Sequence, residues 1–268
     1  MMPKVSIIIP TKNSEKTLKY TLASIKCQKY ANYEIIVVDT HSTDKTRDIA
    51  KNFGARVILS PWERSLSINL GVMKSEGDIV YIVGSDYILV GDLLREISNL
   101  LQKNMCDAIV VTNIPAPISI WAKVRLIERL ILTRKGRYVA TRVFKKKIFL
   151  QLRGYNPQLI VGEDFDLQER IIKAGYKVCL LSLDKGKEYH IGEPKSLVDV
   201  MKKLAYYAKS INRFAAEHSV KDTLLKYNTL TVLKYVMRRP WSRYLFHFLL
   251  YNAIKGLYMI LGMIFLRI

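Results

Sequence analysis

VSIIIPTKNSEKTLKYTLASIKCQKYANYEIIVVDT, residues 5–40, decides the fold. Two short β-branched runs, Val5 to Ile9 and Glu34 to Val38, bracket a stretch whose apolar residues recur at helical spacing. Strand, helix, strand is the unit, and its repetition signals βαβ crossovers around a largely parallel sheet. Working outward, strands are predicted at Arg56 to Leu59, Ile79 to Val83 and Ala108 to Val111. Helices are predicted at Lys16 to Gln28, Thr43 to Asn52 and Leu66 to Lys74, with Ser14 and Ser42 as N-caps and Gly54 and Gly77 beyond two of the ends. Open α/β sheets bind ligands outside the carboxyl ends of their strands. Chemistry is therefore sought first at Pro10 to Asn13, Asp39 to His41 and Gly84 to Asp86.

Composition narrows the classes. The chain has 268 residues, 50% hydrophobic and 25% charged, which excludes a disordered or collagen-like polymer. PTKNSEKT after the first strand carries neither GxGxxG nor a phosphate loop, so dehydrogenase and P-loop readings fail. The apolar run of MMPKVSIIIP is too short for a signal peptide and reads as a buried first strand. Three widely spaced cysteines, Cys27, Cys106 and Cys179, show no CxxC or zinc spacing, and a reduced, cytoplasmic chain is the expectation.

Past residue 112 the pattern changes. Pro115 and Pro117 break the chain, and Ile118 to Leu132 reads as an amphipathic helix with Trp121, Val124, Ile127, Leu130 and Ile131 on one stripe. A basic strand is predicted at Tyr138 to Phe144. Gly154-Tyr155, Gly162-Glu163-Asp164, a helix to Lys173 and a strand at Lys177 to Ser182 follow, and everything beyond Lys195 looks helical and basic. Residues 121–153 hold eleven Lys/Arg against Glu128 alone, and residues 185–268 hold fifteen against five acids. These two stretches account for the whole net charge of +20. Such localised charge suits a polyanion or an anionic membrane.

Four segments then match a known pattern: VSIIIPTKN, EIIVVDTHSTDKT, INLGVMKSEGDIVYIVGSDYIL and GEDFDLQERIIKAGYKV. In order and spacing they resemble the glycosyltransferase family 2 catalytic domain with its GT-A fold, over roughly residues 3 to 195. The resemblance implies an α/β, Rossmann-like, mostly parallel sheet flanked by helices. It also implies transfer of a sugar, with inversion, from a nucleotide diphosphate donor such as a UDP- or GDP-sugar. The expected organisation is a catalytic domain at 1–195 and a basic, apolar helical extension at 196–268.

By that resemblance Asp39 accepts a hydrogen bond from the donor's base, with Pro10 and Thr11 lining the same pocket; a carboxylate here otherwise simply opens a turn. The family's usual run is close to DDGSTD, whereas this chain reads Asp39-Thr40-His41-Ser42-Thr43-Asp44, without the second acid and the glycine. Gly84-Ser85-Asp86 stands where the DxD metal motif belongs, with only the last acid kept. Ser85 and Asp86 are donor-binding candidates, and Asp86 is a ligand candidate for Mg²⁺ or Mn²⁺, because Mg²⁺ usually needs only one or two protein carboxylates. His190 follows a strand where many family members show a histidine that completes the metal site; the plainer reading is an ordinary polar residue. Glu163-Asp164 opens a helix, where acids complement the macrodipole. In the family the second acid of the pair is the general base, which places the catalytic expectation on Asp164. Arg64 and Lys12 stand near the proposed donor cleft, where a contact to the donor phosphates is one reading and a solvated surface cation the plainer one.

Residues 244–266, YLFHFLLYNAIKGLYMILGMIFL, are long enough to cross a bilayer, but Lys255 falls almost at the centre and brings a single span near break-even. Two interfacial helices hinged near Lys255-Gly256, with the amine snorkelling to water, are the expectation; one span, or a soluble packing face, are the alternatives. With Arg238, Arg239 and Arg243 just before it, this tail suits peripheral or monotopic attachment to the anionic cytoplasmic face of a cell membrane. A lipid-linked or other glycan acceptor follows from the same clustering. Rival readings are a GT-A-like nucleotidyltransferase, a domain that binds nucleotide sugar without turnover and, more distantly, a nucleic-acid-binding protein. For the last no RNP, helix-turn-helix or zinc pattern exists, and no nucleic-acid partner is expected.

Overall fold

The first βαβ unit forms where the sequence predicts it. We describe residues 2–133, 140–159, 162–206, 236–237 and 241–265 of a computed structural model. β1 (Val5–Thr11) and β2 (Tyr33–Asp39) run parallel in register from Val5↔Tyr33 to Thr11↔Asp39, joined by α1 (Glu15–Lys26). α2 (Thr46–Asn52), β3 (Arg56–Leu59), α3 (Arg64–Met73) and β4 (Ile79–Ile82) repeat the unit. Then come β5 (Tyr87–Gly91), α4 (Leu93–Gln102), β6 (Ala108–Val110), β7 (Asn113–Pro115) and α5 (Ile120–Thr133). β8 (Val143–Lys145), α6 (Lys146–Gln151), α7 (Glu163–Lys173), β9 (Val178–Leu180) and β10 (Gly186–His190) follow, and the last helix is α8 (Leu245–Phe265).

Seven strands make the main sheet in the order β3-β2-β1-β4-β8-β6-β9. Only β8 runs against its neighbours β4 and β6. Continuous apolar runs in β1, β2 and β4 are explained by burial on both faces. Ile7, Ile9 and Val37 pack under α1 and α4, while Ile8, Ile36, Val38 and Val80 pack against Ile68, Phe149 and Leu167. β1, β2, β3 and β4 all point the same way, so Thr11, Asp39, Leu59 and the Gly84 loop share one edge. β5 and β10 pair antiparallel beyond it, with Tyr87 opposite His190.

Several local expectations are corrected. Ser14 occupies the N-cap position of α1 without capping it; its hydroxyl lies 2.9 Å from Ser85 Oγ. α2 starts at Thr46 rather than Thr43, because Ser42 turns its hydroxyl to Asp39 and Thr43 is tied to Asn13. The strand predicted at Tyr138 to Phe144 is only Val143–Lys145, its first two positions lying outside the described residues, and Lys177 to Ser182 shortens to Val178–Leu180. α4, α6, β5 and β10 were not anticipated.

The chain divides into two compact units. The first comprises Met1–Asn113, Val139–Pro157 and Gly162–Gly192, and the second Ile114–Tyr138, Gln158–Val161 and Glu193–Ile268. In the second unit the α5 stripe of Trp121, Val124, Ile127 and Ile131 packs against Tyr244, Phe248 and Tyr251. α8 runs without interruption through Lys255 and Gly256, so the expected hinge is absent. Lys255 does not snorkel: it is buried and donates to Glu128 Oε1 at 2.8 Å, and the paired carboxylate is what makes its burial tolerable. Among the described residues no helix is long and apolar enough to cross a membrane. Residues 207–235, with Arg238 and Arg239, lie outside the described residues.

Candidate active site

Every candidate residue lies in the first unit. Asp39 ends β2 with none of its surface exposed. Its Oδ1 accepts from Thr11 Oγ1 at 2.9 Å and from Ser42 Oγ at 2.5 Å, and its Oδ2 accepts from Ser42 N–H at 3.0 Å. An ionised carboxylate has about four acceptor positions, so one remains. The Arg47 Nε stands 3.9 Å from Oδ2. His41 adopts φ 50°, a left-handed conformation that glycine takes without cost, at the position where the resembling family has glycine.

The loop after β4 carries Gly84, Ser85 and Asp86. Asp86 Oδ2 lies 2.9 Å from His190 Nε2, and Asp86 C=O accepts from Ile191 N–H. Both side chains keep some exposure, 29% for Asp86 and 12% for His190. A Cβ on Gly192 would fall 2.0 Å from Asp86 Oδ2, and one on Gly84 would fall 3.0 Å from Oδ1 and 2.9 Å from Tyr87 Cε1. Glycine at both positions is thus a condition of where this carboxylate sits. The pair also passes a fit test for a hard divalent cation. Two cis ligands of an octahedral ion at about 2.1 Å stand about 3.0 Å apart, close to the observed separation. Among the described residues no cluster of three or more His, Cys, Asp or Glu could hold a metal, so further ligands would have to be substrate oxygens and water.

The third group opens α7. Glu163 is buried and pairs with Arg64 at the start of α3, Nε to Oε1 3.1 Å. Burial first, then the adjacent Asp164 carboxylate, pushes Glu163 up to about 7, against the pull of Arg64. Asp164 is half-buried, its Oδ1 accepting from Phe165 N–H. Tyr155, buried beside these acids, is held neutral far into the alkaline range by burial and by the charge of Asp164. Asn69 of α3 clasps the Tyr155 backbone with two hydrogen bonds of 2.8 and 2.9 Å. Arg64 is more than the solvated cation expected: its side chain keeps 39% exposure, yet its Nε donates to the buried Glu163 carboxylate. Lys12 is exposed, as a solvated cation would be.

Residues 6–157, more than half the chain, match the family model described as glycosyl transferase family 2. The chain belongs to glycosyl transferase family 2. It is 28% identical over 209 residues to a dolichyl N-acetyl-alpha-D-glucosaminyl phosphate 3-beta-D-2,3-diacetamido-2,3-dideoxy-beta-D-glucuronosyltransferase of Methanococcus voltae, covering 65% of this chain and 63% of the relative. It is 30% identical over 118 residues to the poly(ribitol-phosphate) beta-N-acetylglucosaminyltransferase TarP of Staphylococcus aureus, covering 41% and 36%. The chain thus spans between about a fifth and two thirds of the length of the curated relatives it matches. Among solved structures, the mannosyltransferase PcManGT of Pyrobaculum calidifontis, in complex with GDP-Man and Mn²⁺, superposes with a TM-score of 0.66 at 15% identity, over 97% of this chain and 88% of that one. S. aureus TarS 1-349 in complex with UDP-GlcNAc gives 0.58 at 16%, over 97% and 90%. These likenesses establish the GT-A fold.

Within this family 2 frame the structure adds residues that sequence reasoning passed over. Ser42 was taken for a cap, yet it supplies two of the three hydrogen bonds on Asp39. What explains Arg64 and Gly192, namely Glu163 and Asp86, lies far along the chain from each. The EYHIG segment did hold the signal for Gly192, two residues past the candidate histidine.

Proposed function

We propose that this chain is an inverting glycosyltransferase that moves a sugar from a nucleotide diphosphate donor to an acceptor hydroxyl. The reading is carried by one observation: the carboxyl ends of β1, β2 and β4 bring Thr11–Asp39 and Asp86 to one sheet edge, and Arg64, at the start of the helix after β3, pairs with Glu163 beside Asp164. Pro10, Thr11 and Asp39 would receive the donor's base, Asp39 through its remaining acceptor position. Ser85 and Asp86 would face the diphosphate. Asp86 and His190 would hold a Mg²⁺ or Mn²⁺ ion, whose contribution when bound is to offset charge on the departing diphosphate. Asp164 would take the proton from the acceptor oxygen as that oxygen bonds to the anomeric carbon and the bond to the diphosphate breaks. Arg64 would hold Glu163 in place beside that base.

The support extends to acceptor and place. α8 turns Phe246, Leu249, Ala253 and Leu257 outward, with Arg243 exposed just before them. An apolar stripe on a unit so rich in cations suits a helix lying in the interface of an anionic bilayer, and a lipid-linked acceptor at the cytoplasmic face would reach the enzyme there. The named relatives are likewise sugar transferases by their names.

Two measurements test the reading. Release of UDP or GDP from a panel of nucleotide sugars, with Mn²⁺ and membrane extract, is expected for one donor; no release from any donor overturns transferase activity in favour of the non-catalytic alternative. Sedimentation with anionic liposomes, reversed by high salt plus mild detergent, is expected, and failure to bind any liposome removes the membrane.

A further inference from the structure

Tyr87 has no role in the proposed chemistry, yet its N–H donates to Gly84 C=O and its ring borders both Gly84 and His190. The β5–β10 register sets it opposite His190, and the two rings meet edge to face with centroids 5.2 Å apart at 77°. On its other side the Arg142 guanidinium lies 4.9 Å from the ring centroid, within cation–π range. Arg142 is held from elsewhere: its Nη2 donates to Glu188 Oε2 and to Val111 C=O, while its buried Nη1 has no hydrogen-bond partner and the Tyr87 ring is an aromatic neighbour of the guanidinium. Glu188, wholly buried, accepts on its second oxygen from Tyr81 O–H of β4 at 2.6 Å. A charge pair sunk this deep holds its geometry, because releasing either partner strands the other in a poorly solvating interior. The result is a stack running from Glu188 through Arg142 and Tyr87 to His190, ending on Asp86.

The same stack explains the missing acid at position 84. A side chain there would collide with Tyr87 Cε1 at 2.9 Å and with the carboxylate of Asp86. The room that an aspartate would take in this loop is taken by a ring.

We propose that Tyr87 is a positioning residue. Wedged between Arg142 and His190, it sets the line along which His190 and Asp86 present their donor atoms to a divalent cation, and it does so in place of a second carboxylate at position 84. The proposal rests on the reading of the site as a nucleotide-diphosphate site with a cation. Its signature is an effect confined to the metal-dependent part of nucleotide binding. A purely structural role for Tyr87 would weaken binding with and without metal alike.

The experiment measures the affinities of UDP and of GDP by calorimetry, in saturating Mn²⁺ and in EDTA, for the whole chain and its variants, at a temperature where circular dichroism shows each to be folded. For the unmodified chain Mn²⁺ is expected to tighten one of the two nucleotides. Tyr87→Leu is expected to lose at least tenfold of that enhancement while its affinity in EDTA stays within twofold, and Tyr87→Phe to restore the enhancement. Gly84→Ala, which keeps the tyrosine but pushes against its ring, is expected to lose enhancement in the same direction and serves if Tyr87→Leu does not fold. Full enhancement in Tyr87→Leu, or equal losses in EDTA and Mn²⁺, overturns the positioning role and leaves the function intact. If the unmodified chain binds a nucleotide without any Mn²⁺ enhancement, the cation and this proposal fall together. If it binds neither nucleotide, the functional reading falls.

Discussion

Two buried carboxylates at the same sheet edge are treated in opposite ways. Asp39 is sealed from water and met by three hydrogen bonds from Thr11 and Ser42. Glu163 is also buried, but it is pressed against a second acid and answered by Arg64 alone among the cations acting on it, and it titrates near 7. The first arrangement is finished before any ligand arrives and suits holding a donor. The second keeps charges close together at a cost, as expected where a proton must change hands. On the proposed reading the contrast would separate a group that holds the donor from one beside the proton acceptor.

The sharpest break of that contrast is Asp164→Asn. General-base catalysis contributes about 10²- to 10⁴-fold, so turnover should fall by that order while nucleotide affinity is kept; near-normal turnover would remove Asp164 as the proton acceptor. Next in size is Asp39→Ala. It orphans the Thr11 and Ser42 donors at about 1–3 kcal/mol each, so the urea midpoint should drop and nucleotide affinity fall with it. A variant as stable as the parent would show that Asp39 is not the finished group described. Smaller still is a pH effect at Glu163. Its native pKa lies above the ordinary carboxyl value, so the folded state holds this proton more tightly than the unfolded state. The group's contribution to stability is complete below about 4.5 and is lost as pH rises through about 7. Glu163→Gln should flatten that decline in a series of thermal midpoints, and an unchanged slope would mean Glu163 is not the strained partner. The smallest expected effect is at the supporting wall: Gly192→Ala should weaken the Mn²⁺-dependent part of nucleotide binding several-fold, since its methyl meets the Asp86 carboxylate.

How much of this could be read in advance depended on sequence distance. β1, β2 and β4 are apolar runs whose burial on both faces is written into their residues, and their strand ends point to Thr11, Asp39 and Asp86. α4 was equally legible, with Leu93, Leu94, Ile97 and Leu101 at helical spacing, and was simply passed over. β5, with Tyr87, Ile88, Leu89 and Val90 in a row, is as legible as the others, whereas β10, GKEYH, has no strand pattern of its own and becomes a strand by pairing with β5 about a hundred residues away. Arg64 and Lys255 were misjudged for the same reason. Each looks like a lone cation until the fold supplies an acid 99 or 127 positions distant. Local propensity finds elements, whereas the partners of charges are a property of topology.

The pairing of Lys255 with Glu128 reaches into how the protein should be handled at the bench. A shortened form ending ahead of Leu245 would uncover a naked anion amid tryptophan, valine and isoleucine, and its clumping would then be a fault of the cut rather than of the remainder. Anyone trimming the greasy end to gain solubility should expect to lose it.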